Sequence, residues 1–282
     1  MITKEIEFLR PTTVAEAIEI LEERGTDVTI LSGGMSLMPM MNLGIVRPGV
    51  VMSLNHVEGL SDVVVEDSTL AVGAMVSHRR VNTDDAVRAH APMLAAAARS
   101  VGDVQVRNRG TIGGSICHAD PSADYLPVLA VSEAELVLTS AASSRIVAAA
   151  DFFVDVMFTA REPNELLTAV IMPKQPPTVG SGFVRFARVE GSFAIVNAAA
   201  RIEPDFGRST VALGGVGPAP VVIDASDLFA GGINDEALEA LSDRAYDAAH
   251  LATADVHSDV EYRRHMAGVF ARRAVQQAAT RL

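Results

Sequence analysis

A single cysteine, Cys117, occurs among the 282 residues. One thiol excludes an intramolecular disulfide, and it excludes a self-contained iron–sulfur cluster, which takes four thiolates. Positive charge is also scarce: 23 Lys and Arg stand against 35 Asp and Glu, a formal charge of −12. That deficit argues against a nucleic-acid groove or an anionic membrane surface, since both need a basic face. An anionic ligand stays open, because backbone N–H groups hold phosphates without lysine. No apolar run approaches the roughly 20 residues that span a bilayer. The first residues, Met1 to Glu7, lack the apolar core of a signal peptide. A cytoplasmic protein with no integral membrane segment is expected.

Several motifs are missing as well. There is no Gly-x-Gly-x-x-Gly and no Lys-Ser/Thr after a glycine loop, so neither a Rossmann nor a P-loop site is indicated. The seven histidines show no His-x-x-His or His-Glu-x-x-His spacing, and no metal site is expected. No Gly-x-Ser-x-Gly elbow accompanies Ser115, His118 and Asp120, which speaks against a hydrolytic triad. Heptads, repeats and low-complexity segments are absent.

What remains is an ordinary globular composition, 49% hydrophobic and 21% charged, in a chain long enough for two domains. Val14, Ala17, Ile18 and Leu21 recur at helical spacing after Thr12-Thr13 and stop at Gly25. Strands are expected at 28–31 and 50–54, with a hairpin over 63–72 turning at Asp67-Ser68. Helices are expected at 93–101 and 122–131, a second hairpin at 134–149, and a strand at 166–172. Proline and glycine crowd 173–182, the clearest linker. Strands at 183–189, 193–202 and 209–214 then precede helices at 235–250 and 261–281. Strands followed by helices predict an α+β C-terminal domain. Arg263, Arg264, Arg272, Arg273 and Arg281 read as a solvated face or a subunit contact.

Two glycine-rich loops about eighty positions apart stand out: Leu31-Ser32-Gly33-Gly34-Met35-Ser36-Leu37 and Thr111-Ile112-Gly113-Gly114-Ser115. Adjacent glycines let backbone N–H groups approach an anion without interference from a Cβ. Two such loops suggest a diphosphate held from both sides. The second lies in a polar stretch, with Arg107, Asn108, Arg109, His118, Asp120 and Asp124 close by, which suits a ligand site better than a connector. Asp124 reads either as a helix cap or as a carboxylate for ribose hydroxyls. Cys117 reads as a small buried filler. Met35, Met38, Met40 and Met41 either pack a core or wall a flat ring.

These residues resemble the FAD-binding medium subunit of the molybdenum hydroxylases, the xanthine dehydrogenase and carbon monoxide dehydrogenase family. The first family motif, Ala-Gly-Gly-Gln/His-Ser-Leu then Ile-Pro, stands here as Ser32-Gly33-Gly34-Met35-Ser36-Leu37-Met38-Pro39. The second stands as Arg107-Asn108-Arg109-Gly110-Thr111-Ile112-Gly113-Gly114-Ser115, followed by Asp120-Pro121 and Asp124. Gly191 to Val196 and Tyr262-Arg263 with Met266-Ala267 extend the likeness to the end of the chain.

The resemblance implies an α+β fold: a two-subdomain FAD-binding domain of the vanillyl-alcohol-oxidase (PCMH) type over 1–175, divided at about 55–56, then a domain of antiparallel strands backed by helices over 180–282. It places FAD on Ile30, Leu31, Ser32, Gly33, Gly34, Met35, Ser36 and Leu37, and on Gly110, Thr111, Ile112, Gly113, Gly114 and Ser115. The backbone N–H groups of both loops would take the pyrophosphate. Val101, His118 and Asp124 complete the binding set, and Leu166 lies against the isoalloxazine ring. Three departures accompany it: Met35 for a polar residue, Arg185 for a lysine near the flavin, and Phe193 for a tyrosine near the ring. No residue of this chain is expected to be catalytic. The implied role is electron transfer, from two [2Fe–2S] clusters of a small subunit through FAD to an external acceptor. Substrate is hydroxylated at a molybdenum–pterin cofactor in a large subunit, in an assembly expected to be a dimer of heterotrimers. Two other readings stand beside it, a self-contained reductase of the UDP-N-acetylmuramate dehydrogenase type and a non-catalytic assembly subunit.

Overall fold

The structure, a computed structural model, describes residues 5–282. The first helix, Val14–Arg24, begins where the Thr13 side chain accepts from Glu16 N–H, and Glu16 reaches back to the Thr12 N–H at 2.6 Å. This reciprocal pairing satisfies donors that the first turn leaves open. Ala17, Ile18 and Leu21 face inward, and Gly25 closes the helix at φ 52°. The buried face covers a three-stranded parallel sheet in which Val50–Ser53 lies between Glu7–Leu9 and Val28–Leu31. The strand Glu7–Leu9 is too short, at three residues, to show in the sequence.

A five-stranded antiparallel sheet follows, in the order Val63–Val65, Thr69–Gly73, Leu166–Pro173, Glu135–Thr139, Ser144–Ala148. Both expected hairpins are present, one with Glu66 N–H on Thr69 O across its turn. The central strand, Leu166–Pro173, thus pairs with a strand almost a hundred positions earlier, and residues 78–131 between them form a helical layer on the sheet. That layer contains Pro92–Ser100 and Tyr125–Val131, both expected. It also contains His78–Thr83, Asp85–His90, Val104–Arg109 and Ile112–His118. These four are too short to show a hydrophobic period, yet Ser77, Asp84, Asp103 and Thr111 each cap one through a side-chain oxygen.

The C-terminal part is a four-stranded antiparallel sheet, Gly180–Phe186, Val196–Glu203, Arg208–Gly214 and Val221–Asp224, backed by helices Asp235–Ala248 and Val260–Ala279. The fourth strand was not expected. The connecting segment is also shorter than the composition suggests, because Gly180 and Gly182 belong to the first strand. A Cβ on Gly182 would stand 2.2 Å from the carbonyl oxygen of Ala274 on the last helix. Glycine here serves close packing and not a turn.

Of the arginines read as a solvated face or a subunit contact, Arg273 and Arg281 are exposed, whereas Arg263 is not. Arg263 is buried and hydrogen-bonds Gly215 O at 2.9 Å and Asp255 Oδ2 at 2.7 Å. Arg264 lies 4.0 Å from the Tyr246 ring centroid, Arg272 pairs with Glu239, and Arg281 donates to Ser181 O. Antiparallel helix and sheet neighbours supply these partners, and a one-dimensional pattern cannot show them. No described helix is long and apolar enough to cross a membrane.

Gly182→Ala is expected to destabilise the fold by about 2 kcal/mol or more, because the helix must retreat to admit a methyl group. Chemical denaturation of the two chains measures this.

Candidate functional site

The strand Val28–Leu31 delivers the first loop, Gly34 turns it at φ +76°, and the helix Leu37–Asn42 leaves from it. Met38 and Met40 donate back to Gly34 O and Ser36 O. Among the described residues, no protein acceptor takes the N–H of Gly33, Gly34, Met35 or Ser36. Four successive donors therefore stand ready for a ligand.

The second glycine pair is not a loop. Gly113 and Gly114 form the first turn of the helix Ile112–His118. Thr111 Oγ1 accepts from Gly114 N–H at 3.1 Å, Ala74 O from Gly113 N–H at 2.9 Å, and Thr111 O from Ser115 N–H at 3.1 Å. These N–H groups are engaged within the protein. The cap residue and the sheet edge supply the acceptors.

The two segments touch. A Cβ on Gly33 would stand 2.1 Å from Arg109 O and 2.7 Å from Gly110 Cα, and a Cβ on Gly114 would stand 3.2 Å from Ser32 Oγ. From this junction a cleft of about 540 Å³ runs between the N-terminal sheet, the helical layer and the C-terminal sheet. Every residue read from the sequence as cofactor-binding lines it except Leu31 and Ile112. Ile112 is fully buried in the main core, and Leu31 closes its strand without reaching the cleft. The motifs are contiguous in sequence, but neighbouring side chains face opposite ways.

At one wall Asp124 is 5% exposed. It precedes the helix Tyr125–Val131 but makes no capping bond there. Its Oδ2 accepts from Ser100 Oγ at 3.1 Å and its Oδ1 from Asn197 Nδ2 at 3.1 Å. Arg185 Nε lies 3.2 Å from the same Oδ1 as a charge contact, without hydrogen-bond geometry. Arg185 also donates to Ser100 O and Ser192 O. Burial pushes the Asp124 pKa above the ordinary carboxylate value, opposed by the charge of Arg185 and by hydrogen bonds from Asn197 and Ser100. Leu166 and Leu54, both buried, give the cleft an apolar side, and the Phe193 ring stands largely exposed at its mouth.

Sequence reasoning missed His78 and Arg161, which also line the cleft. His78 Nδ1 lies 2.8 Å from Tyr125 Oη, which is wholly buried. Burial holds that phenol protonated, and it shares one hydrogen bond with the imidazole Nδ1. Burial and, less strongly, Arg107 push the His78 pKa down to about 4. Cys117 is partly buried against the cleft, its pKa pushed up to about 11 by burial. Asp120 accepts from Ser122 N–H at 2.8 Å, and no hydrogen bond joins it to His118.

A family profile for the FAD binding domain in molybdopterin dehydrogenase matches residues 4–175, and one for the CO dehydrogenase flavoprotein C-terminal domain matches 181–278. The chain belongs to the molybdenum hydroxylase flavoprotein family. Within this family it is 32% identical to the carbon monoxide dehydrogenase medium chain of Hydrogenophaga pseudoflava, covering 100% of this chain and 99% of that one. It is 32% identical to the nicotine 6-hydroxylase medium subunit of Paenarthrobacter nicotinovorans, covering 98% of each. A solved structure of the Hydrogenophaga carbon monoxide dehydrogenase superposes with a TM-score of 0.93 at 32% identity, covering 100% of this chain and 99% of that one. The α+β architecture is therefore that of the family's flavoprotein.

Gly33→Ala is expected to force the two segments apart and to lower FAD affinity by at least about tenfold, equivalent to about 1.4 kcal/mol; flavin fluorescence titration reads it. His78 sets an acid limit on stability. Its folded pKa of about 4 lies below the ordinary histidine value of 6.5, so the unfolded chain binds more protons between these values. Stability is complete above pH 6.5 and falls as pH drops toward 4, by on the order of 3 kcal/mol. Denaturation of wild type and His78→Gln at pH 7.5 and 4.5 should show a shallower loss in the variant.

Proposed function

We propose that this chain is the FAD-carrying electron-transfer subunit of a molybdenum hydroxylase. Electrons reach it from two [2Fe–2S] clusters of a small partner subunit and leave to an external acceptor. Substrate is hydroxylated at a molybdenum–pterin cofactor held by a large partner subunit. The single observation that carries the reading is the row of four free N–H groups from Gly33 to Ser36, on a loop with no room for a Cβ at Gly33. Such a row is a cradle for phosphate oxygens.

The remaining residues fit the same cofactor. Ile30, Leu37, Val101, Leu166 and Phe193 supply apolar walls for flat rings. Thr111 and Ser115 border the cradle with hydroxyls, while Gly110, Gly113 and Gly114 keep its floor thin. Met35 contributes its N–H and no polar side chain. Both carboxylate oxygens of Asp124 accept from the protein, so Asp124 acts through Arg185, which it holds in place at the cleft. Bound FAD supplies reversible one- and two-electron chemistry; the protein holds it, tunes it and leaves one edge accessible. No acid, base or nucleophile on this chain is assigned a chemical step.

This reading divides the chain into an FAD-binding domain over 1–175, with subdomains of about 1–55 and 56–175, and a C-terminal domain over 180–282. The assembly is a dimer of heterotrimers in the cytoplasm. The natively purified complex is expected to contain FAD, iron and molybdenum. The chain alone is expected to bind FAD and to oxidise no organic substrate. Absence of flavin absorbance in both the complex and the FAD-supplemented chain would overturn the proposal.

A further inference from the structure

We infer that Arg161 recognises the diphosphate of the ligand and so sets the preference of this cleft for a dinucleotide over a flavin without phosphate. The inference rests on the FAD reading above and adds a residue that neither glycine motif contains. Two arginines and two aspartates line the cleft: Arg161, Arg185, Asp120 and Asp124. The charge of Arg185 is matched by Asp124, and its two terminal nitrogens donate to Ser100 O and Ser192 O. Arg161 has no carboxylate within ion-pair distance among the described residues. Glu162, next in sequence, is exposed, and Glu165 is gripped by both Nε and Nη2 of Arg145 at 2.6 and 2.8 Å.

Arg161 is nonetheless fixed. Its Nη1 donates to Glu165 O at 2.7 Å and to Glu162 O at 2.9 Å, which holds the guanidinium from one side. Its Nε and Nη2 donate to no described protein group, which leaves that edge of the fork for the cleft. The charge of Arg161 acts on Cys117, three residues beyond Gly114 on the helix Ile112–His118. Gly114 in turn meets Ser32 of the first loop. Arg161 and Gly33 to Ser36 line the same cleft, so the cation and the row of free N–H groups face one ligand.

A diphosphate entering this site meets a protein of charge −12 and the nearby carboxylate of Asp120. Backbone N–H groups offer it only partial charge. A guanidinium held from behind offers a full charge and parallel donors suited to phosphate oxygens.

Titrating FAD, FMN, riboflavin and ADP onto the purified full chain, Arg161→Gln and Arg161→Lys tests this, with flavin fluorescence for the first three and calorimetry for ADP. Arg161→Gln is expected to lose roughly ten- to a hundredfold in affinity for FAD and ADP, and to keep riboflavin binding within about twofold. Arg161→Lys should recover much of that loss, and added salt should weaken FAD binding more steeply in wild type than in Arg161→Gln. An equal loss for riboflavin and FAD would reduce Arg161 to a clip for the 161–165 turn and overturn the inference. Unchanged FAD and ADP affinities would overturn it directly. Wild type that binds ADP and no flavin would sink the flavin reading while the ADP comparison still decides Arg161. Wild type that binds none of the four sinks both.

Discussion

The contact on which the cleft depends is one of main chain against main chain. Gly33 rests on the peptide between Arg109 and Gly110 with no side chain between them. The second segment is pinned independently of the first: His78 N–H donates to Gly110 O and Ile112 N–H to Val76 O, each at 3.0 Å. The first loop is the end of a strand from a different sheet. Its seating therefore fixes the three-stranded sheet against the helical layer, and the width of the cleft follows from that single approach. A methyl group at this point changes the relation of two layers and not merely a local angle.

That contact also separates the tasks of the two glycine pairs. Gly33 lies in a bend and Gly34 in left-handed backbone, so their N–H groups find no helical acceptor. Gly113 and Gly114 begin a helix whose cap and neighbouring strand absorb the same donors. The sequence shows two similar dipeptides; the structure makes one a donor row and the other a smooth floor. Charge is divided as unevenly. Arg185 is balanced within the protein by Asp124, while Arg161 keeps its charge toward the cleft.

The features legible in the sequence were those written in local chemistry. Val14, Ala17, Ile18 and Leu21 announce a helix because their spacing matches its period, and Asp67-Ser68 announces a turn. The glycine pairs marked the cleft because only close backbone approach explains them. Four short helices escaped because six or seven residues carry no readable period, although their caps were visible at Ser77, Asp84, Asp103 and Thr111. Leu31 and Ile112 were carried into the site by their motifs, since a motif does not reveal which way each side chain points. His78 and Arg161 gave no signal at all. Each becomes a cleft residue only when a helix or a hairpin far along the chain folds back. Arg263 looked like surface for the corresponding reason, that its acceptors at Gly215 and Asp255 are set by tertiary contact.

The network around Asp124 has a mechanical meaning. Ser100 and Asp124 belong to the helical layer, Arg185 and Asn197 to the C-terminal sheet, and the carboxylate they share is buried. Hinging the sheet away from the layer would strip a desolvated anion of its partners, a penalty of about 3–5 kcal/mol when such a pair is broken. The two halves are thus locked at the rim of the cleft. A wall tied down in this way holds fixed dipoles and charges around whatever the cleft binds, so a charge arriving there meets surroundings that are already oriented.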